Sequence, residues 1–244
     1  MQIITAAVIK GGTGKTTTCA ALAQAAVSAG KKVLAIDLDP SANFTNAIGA
    51  DQTKPGSFAL LNGAAAEDVA QLTEQGIYAI AAGADLSTVK TTPASAMRLK
   101  TALDPLHDYF DLCIIDTPPE LGELVYNALS AATGLLIPLE ADSNSLQGMY
   151  QITDIAKQMQ NSNPALRILG TVLTRFDSRP NINRYMRDVI AEKGAAAGAP
   201  LLAAIRPGVA VREAIALQQS LFEYAPTSNP AEDYKTLYET IMEG

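Results

Sequence analysis

The sequence predicts an α/β fold in a single domain, with a mostly parallel, twisted sheet and helices on both faces. Three observations predict it. Short apolar runs alternate with stretches of helical character along the chain. Runs such as Val33-Leu34-Ala35-Ile36 and Leu112-Cys113-Ile114-Ile115 are apolar at every position. Strands of that kind are buried on both faces, as parallel strands between two helical layers are. The apolar run over residues 3–9 leads directly into a glycine-rich turn and then a helix, which opens a right-handed βαβ unit.

The elements follow in order. Residues 3–9 read as a buried strand, and 15–29 as an Ala-rich helix ended by Gly30, a helix stop signal. Residues 32–37 form a second strand, 77–81 a short third and 112–115 a fourth. A helix over 121–132 precedes a strand over 134–139. Residues 145–160 are helical, 168–173 extended, 182–193 helical and 201–205 extended. Helices over 211–218 and 231–242 close the chain. The stretch 49–72, richer in Gly, Ala, Thr and Asp, reads as surface loops with one short helix.

The chain has 244 residues, and 48% of them are hydrophobic. That suffices for one substantial core, and no composition shift marks a joint. One domain is expected over residues 1–244, with no N-terminal helix-turn-helix extension. The formal charge is −7, which argues against indiscriminate binding of nucleic acid or anionic membrane by the chain as a whole. The two cysteines, Cys19 and Cys113, form no CxxC pair, and there is one His. They read as small buried hydrophobes. No basic leader and no apolar run of membrane-spanning length is present, so a cytoplasmic protein is expected.

The most informative stretch is Lys10-Gly11-Gly12-Thr13-Gly14-Lys15-Thr16-Thr17. Between a strand and a helix, backbone N–H groups of such a turn converge on a phosphate chain, and the helix N-terminus adds its positive dipole end. Lys15 is placed to reach the β- and γ-phosphates, and Thr16 to set its hydroxyl on Mg²⁺. The usual first glycine is replaced by Ile9, and Lys10 is extra. Lys10 is poorly placed for its own γ-phosphate. It is either a lysine solvated at a strand end or one received by a second subunit.

Asp37 and Asp39 end the second strand and Asp116 ends the fourth. Strand C-termini of a parallel sheet gather at the edge that carries the phosphate loop. Asp116 suits metal organisation through a bound water, and Asp39 suits orientation of the attacking water, with a share in holding the metal through water. Each could instead cap the turn that follows its strand.

Together these motifs resemble the ParA/MinD group of P-loop ATPases with a deviant Walker A motif. Residues 10–17 resemble that motif, Asp37-Leu38-Asp39-Pro40-Ser41-Ala42-Asn43 resembles the Walker A′ segment, and the stretch 116–122 resembles Walker B with switch II. Residues 173–179, 205–209 and the tail from Tyr224 resemble the ParA/Soj subgroup. The resemblance implies ATP and Mg²⁺ as cofactors, with base contacts from Thr174, Arg175, Arg206 and Pro207. It implies a face-to-face ATP dimer in which Lys10 of each copy reaches the other's phosphates. It further implies DNA binding without sequence preference, a ParB-like adaptor that stimulates slow hydrolysis, and a place on the nucleoid. Ser41 and Ala42 depart from the Gln and Gly of the ParA pattern.

Residues 167–212 hold eight basic and three acidic residues, a net +5 against −12 elsewhere. Arg184, Arg187, Lys193 and Arg212 are therefore the candidate DNA contacts, through salt-sensitive phosphate contact. Other outcomes are a solvated basic face, or Arg175 and Arg206 lining an adenine pocket. A protein-cargo positioner uses the same switch. A MinD-like membrane ATPase calls for a basic amphipathic C-terminal helix, whereas residues 231–244 are acidic. Iron–sulfur relatives need cysteines at the dimer face, and a ligase on this fold needs an acceptor pocket that no motif suggests.

Overall fold

The computed structural model describes residues 1–89 and 95–243. The chain runs β1 (Gln2–Ala6), α1 (Lys15–Ser28), β2 (Val33–Asp37), α2 (Asn43–Ala47), α3 (Ser57–Leu61), α4 (Ala66–Val69), β3 (Gln71–Leu72) and β4 (Tyr78–Ile80). It continues through α5 (Arg98–Leu103), β5 (Leu112–Asp116), α6 (Glu123–Ala131), β6 (Gly134–Leu139), α7 (Ser143–Met159) and β7 (Arg167–Leu173). It ends with α8 (Asn181–Ala197), β8 (Leu201–Ala204), α9 (Val209–Ala216), α10 (Leu221–Tyr224) and α11 (Asn229–Glu243).

The strands form one eight-stranded sheet in the order β3-β4-β2-β5-β1-β6-β7-β8. Among the described residues six of the pairings are parallel, and β3–β4 is antiparallel. The expected α/β architecture is observed. Every residue of β2, β5 and β6 is buried, as the unbroken apolar runs require.

Alternate strand residues feed two cores. Ile3, Leu34, Ile36 and Cys113 face one core with α6, α7 and Ile190 of α8. Ile4, Val33, Ala35 and Ile114 face the other with α1, α9 and α11. Helix α1 is buried at every position from Thr18 to Ala26. Its alanines keep it slim enough to sit under α11, whose Tyr234, Leu237, Tyr238 and Ile241 form a buried stripe of helical period. Full burial of a side chain the size of Leu237 is worth roughly 1.5–3 kcal/mol.

Several local expectations are corrected. The first strand ends at Ala6 and not at residue 9. Ala7 N–H still bonds Leu136 O, but from there the chain leaves the sheet to form the loop. The stretch 49–72 holds α3 and α4, two short helices instead of one. Helices α2, α5 and α10 and strand β3 were also not anticipated. Elements of two to six residues do not complete enough turns or alternations to produce a period.

Register places the site. Asp116 at the end of β5 is level with Ala6 on one side and Asp37 on the other. Two carboxylates therefore stand on neighbouring strands at the edge where the β1–α1 loop emerges.

Candidate functional site

The loop between β1 and α1 is shaped by its glycines and bolted to β7. Gly14 has φ 85, in the left-handed region where a side chain is strained. A Cβ on Gly14 would lie 3.0 Å from Thr174 Cγ2. Thr174 Oγ1 donates to Thr13 O at 2.8 Å, and Arg175 Nη2 donates to Gly12 O. Among the described residues the N–H groups of Gly12, Thr13, Gly14 and Lys15 find no protein acceptor. Thr13 is fully buried, with no partner for its hydroxyl among the described residues. Such a cradle of unpaired donors suits an anionic phosphate chain.

Lys15 lies in this cradle, buried, with Nζ donating to Lys10 O at 3.2 Å. Burial holds its pKa below the usual lysine value, against the pull of Asp116 and Asp39. Thr16 Oγ1 donates to Asp116 Oδ2 at 2.6 Å. Asp116 is fully buried and its carboxyl is pushed up to about 8, first by burial and then by the Asp37 charge. A neutral or cation-compensated carboxyl is what such a position tolerates. Among the described residues no cluster of three His, Cys, Asp or Glu side chains is arranged to hold a metal. Thr16 and Asp116 fit a Mg²⁺ that takes its other ligands from phosphates and water.

Asp37 is the organiser of the next segment. Its Oδ1 accepts from Asp39 N–H at 2.9 Å, and its Oδ2 from Thr45 N–H and Thr45 Oγ1, each at 2.8 Å. Burial pushes Asp37 up to about 6. Asp39 is half-buried, and its Oδ1 accepts from Ser41 N–H at 2.9 Å. Ala42 turns the chain into α2 with φ 53. The ParA pattern has glycine there, so this chain pays a steric cost that the glycine avoids.

Two adjoining clefts, each of about 490 Å³, open at this edge. The phosphate cleft is lined by residues 11–17, Asp39, Ser41, Asn43, Asn46 and Arg175. The second is lined by Thr174, Arg175, Arg206 and Pro207, the four expected base contacts, with Val209, Val211 and Tyr234. Gly14, Thr17, Arg175 and Ile215 border both. Tyr234 was not among the anticipated site residues. Its ring lies in the α11 stripe and lines the cleft, with its hydroxyl 3.4 Å from Thr18 Oγ1. Arg206 is held by Asp233, with Nη2 to Oδ1 at 2.7 Å.

Lys10 is bonded within its own chain. Its Nζ lies 2.6 Å from Asp142 Oδ2, 3.1 Å from Ser145 Oγ and 3.5 Å from Glu140 Oε2. Glu140 Oε1 in turn accepts from Arg175 Nη2 at 2.6 Å.

The candidate DNA contacts do not form one patch. Arg184, Arg187 and Lys193 lie on α8, which packs beside α7, whereas α9, with Arg212, packs beside α2 and α10. Arg212 lines the second cleft. Arg187 pairs with Asp188 and Lys193 with Glu192. Arg184 donates to Ser178 O at 2.7 Å.

A family model described as an AAA domain matches residues 1–168. The chain is 34% identical over 237 residues to the chromosome-partitioning ATPase Soj of Thermus thermophilus, covering 96% of this chain and 92% of that one. It belongs to the ParA/Soj-type ATPases of the ParA/MinD group. A second relative, the sporulation initiation inhibitor protein Soj of Bacillus subtilis, is 31% identical over 250 residues, covering 95% of this chain and 94% of that one. The cobyrinic acid a,c-diamide synthase of Mycobacterium smegmatis, with ADP and magnesium bound, superposes with a TM-score of 0.84 at 28% identity, covering 100% of this chain and 94% of that one. The ATP complex of a Cyanothece McdA variant gives 0.85 at 26% identity, covering 100% and 95%. Among the described residues of this ParA/Soj-type chain, no helix is long and apolar enough to cross a membrane.

Proposed function

We propose that the chain is a DNA-partitioning ATPase whose ATP-bound form is a face-to-face dimer. The likeness to Soj over 96% of the chain carries this reading, and the paired clefts support it. Residues 12–16 present N–H groups to the phosphates of ATP, and Lys15 adds a buried positive charge. Mg²⁺, when bound, neutralises charge on the β- and γ-phosphates. Thr16 and Asp116 would hold it, Asp116 through water. Asp39, half-exposed at the cleft and fixed by Asp37, orients the attacking water and accepts its proton. Thr174, Arg175, Arg206, Pro207 and Tyr234 enclose the base.

Lys10 acts in the dimer, where it leaves Asp142 for the partner copy's phosphates. Arg184, Arg187 and Lys193 supply salt-sensitive contact with DNA of any sequence. A ParB-like adaptor stimulates slow hydrolysis, and release of the subunits resets the cycle on the nucleoid.

Light scattering of an Asp39→Ala variant with ATP and Mg²⁺ tests the clamp. A stable dimer is expected, and a monomer alone would sink the switch. Lys15→Ala is expected to lose ATP binding. DNA retention is expected with ATP but not with ADP, and equal retention with both would remove switch-controlled release.

A further inference from the structure

Helix α9 borders two clefts. Its Val211 and Arg212 line the base cleft, and its Ile215 lines both. Just past its end, Gln218 Nε2 donates to Asn46 Oδ1 at 3.1 Å. Asn46 lies on α2 and lines the phosphate cleft with Asp39 and Asn43. Gln75, in the turn between β3 and β4, closes the junction. Its Nε2 donates to Ala47 O at 3.1 Å and to Gln218 O at 2.9 Å. Its Oε1 accepts from Gln24 Nε2 at 2.9 Å. Gln24 is buried in α1, and its Oε1 accepts from Leu221 N–H at 3.1 Å, at the start of α10.

Four amide side chains thus join α1, α2, the β3–β4 turn and the α9–α10 connection. Both amide protons of Gln75 and its oxygen are used, and a satisfied amide network of this kind rigidifies what it joins. Gln75 lines neither nucleotide cleft. From α2 the path to the carboxylates is short. Thr45 is bonded to Asp37 Oδ2, and Asp37 Oδ1 is bonded to Asp39 N–H.

The geometry points to Gln75 as a positioning residue that ties the base-cleft helix α9 to the Asp39–Asn46 segment, so that adenosine in the base cleft sets the placement of Asp39. This rests on the ATPase reading above. Displacement of α9 by a base is handed through Gln218 and Gln75 to Asn46 and Ala47, and from Thr45 to Asp37 and Asp39. A polyphosphate without a base fills the phosphate cleft but leaves α9, and with it Asp39, unset.

Amide hydrogen exchange of the full chain, with Mg²⁺–ADP and with Mg²⁺–pyrophosphate, tests this. In the unmodified protein both ligands are expected to slow exchange in residues 12–17, and only ADP in residues 43–47. In Gln75→Ala, ADP is expected to protect 12–17 still but no longer 43–47. The kcat for ATP is expected to fall about tenfold with KM changed less than about twofold. Equal ADP protection of 43–47 in both proteins, with kcat unchanged, overturns the proposal. A purely structural role would lower the melting temperature and leave that ligand-induced difference in place, which also overturns it. Gln75→Met serves if Gln75→Ala does not fold. It keeps a long side chain but deletes the bonds to Ala47 O and Gln218 O, and the same loss of protection is expected. Absence of ADP protection at 12–17 in the unmodified protein is a separate result. It sinks the ATPase reading, and this inference with it.

Discussion

The Lys10 ammonium stands 2.6 Å from a carboxylate oxygen of Asp142, the residue whose other oxygen caps α7 by accepting from Ser145 N–H at 2.7 Å. Burial opposes ionisation of Asp142, but the bonds from Lys10 and Ser145 hold its carboxyl below the usual carboxylate range. The lysine proposed to serve a second subunit is therefore stored against its own chain, and dimerisation must break that pair.

Asp142→Asn keeps the cap acceptor and removes the charge. A half-exposed pair of this kind contributes roughly 0.2–1 kcal/mol. Each dimer breaks two such pairs, so the ATP-dependent dimerisation constant is expected to tighten by about twofold to thirtyfold, read by light scattering across protein concentration. A weaker dimer would mean that Asp142 acts across the interface and not as storage.

Ala42→Gly removes the steric penalty of a left-handed alanine at φ 53. The gain expected is about 1 kcal/mol, or roughly 2–4 °C in Tm for a chain of this size. A thermal melt measures it. A lower Tm would mean that the added freedom of glycine in the unfolded chain outweighs the strain.

Gly14→Ala works in the opposite direction. It meets φ 85 and a Thr174 side chain 3.0 Å from the new Cβ. A loss of roughly 1–2 kcal/mol is expected from the backbone alone, measured by urea denaturation. ATP affinity should collapse with it, because Thr174 also fixes Thr13 O. Unchanged affinity would show that the loop tolerates displacement.

Much of this site was legible in the chain. The phosphate loop and the Asp37 and Asp116 strand ends sit where local pattern is strongest, at the ends of short, almost wholly apolar runs, the first of which leads into glycines. The four expected base contacts meet because β7 and β8 follow β6 on one side of β1 in parallel order, so the chain leaves all of them at the edge that carries the loop. What escaped depends on distance. Asp142 lies 132 residues from Lys10, and no local pattern joins them. The charge sum over 167–212 pointed to a basic surface, yet side chains compensate one another within one or two residues, as Arg187 does with Asp188 and Arg179 with Asp177. Arg212 belongs to that sum but lines the cleft with Arg206 and Tyr234, because α9 and α8 cover different faces of the sheet.

The carboxylates give the last prediction, in the dependence of stability on pH. Burial pushes Asp37 up to about 6, and burial with the neighbouring Asp37 and Asp39 charges pushes Asp116 up to about 8, from an ordinary 3.8. In that range the native protein keeps protons that the unfolded chain has released. The stability tied to each group is then fully present below 3.8 and is lost as pH rises through its folded value. Without nucleotide and metal, Tm is expected to fall from about pH 5 to about pH 8. Asp116→Asn cannot ionise and still accepts from Thr16 Oγ1, so the upper part of that fall should flatten. Mg²⁺ with ADP should flatten it in the unmodified protein, because a bound cation favours the ionised carboxylate. Melting curves in EDTA and in Mg²⁺–ADP across that range decide the matter. Parallel pH profiles for the unmodified protein and Asp116→Asn in EDTA would mean that Asp116 does not titrate there, and that its contact with Thr16 holds it ionised even without a metal.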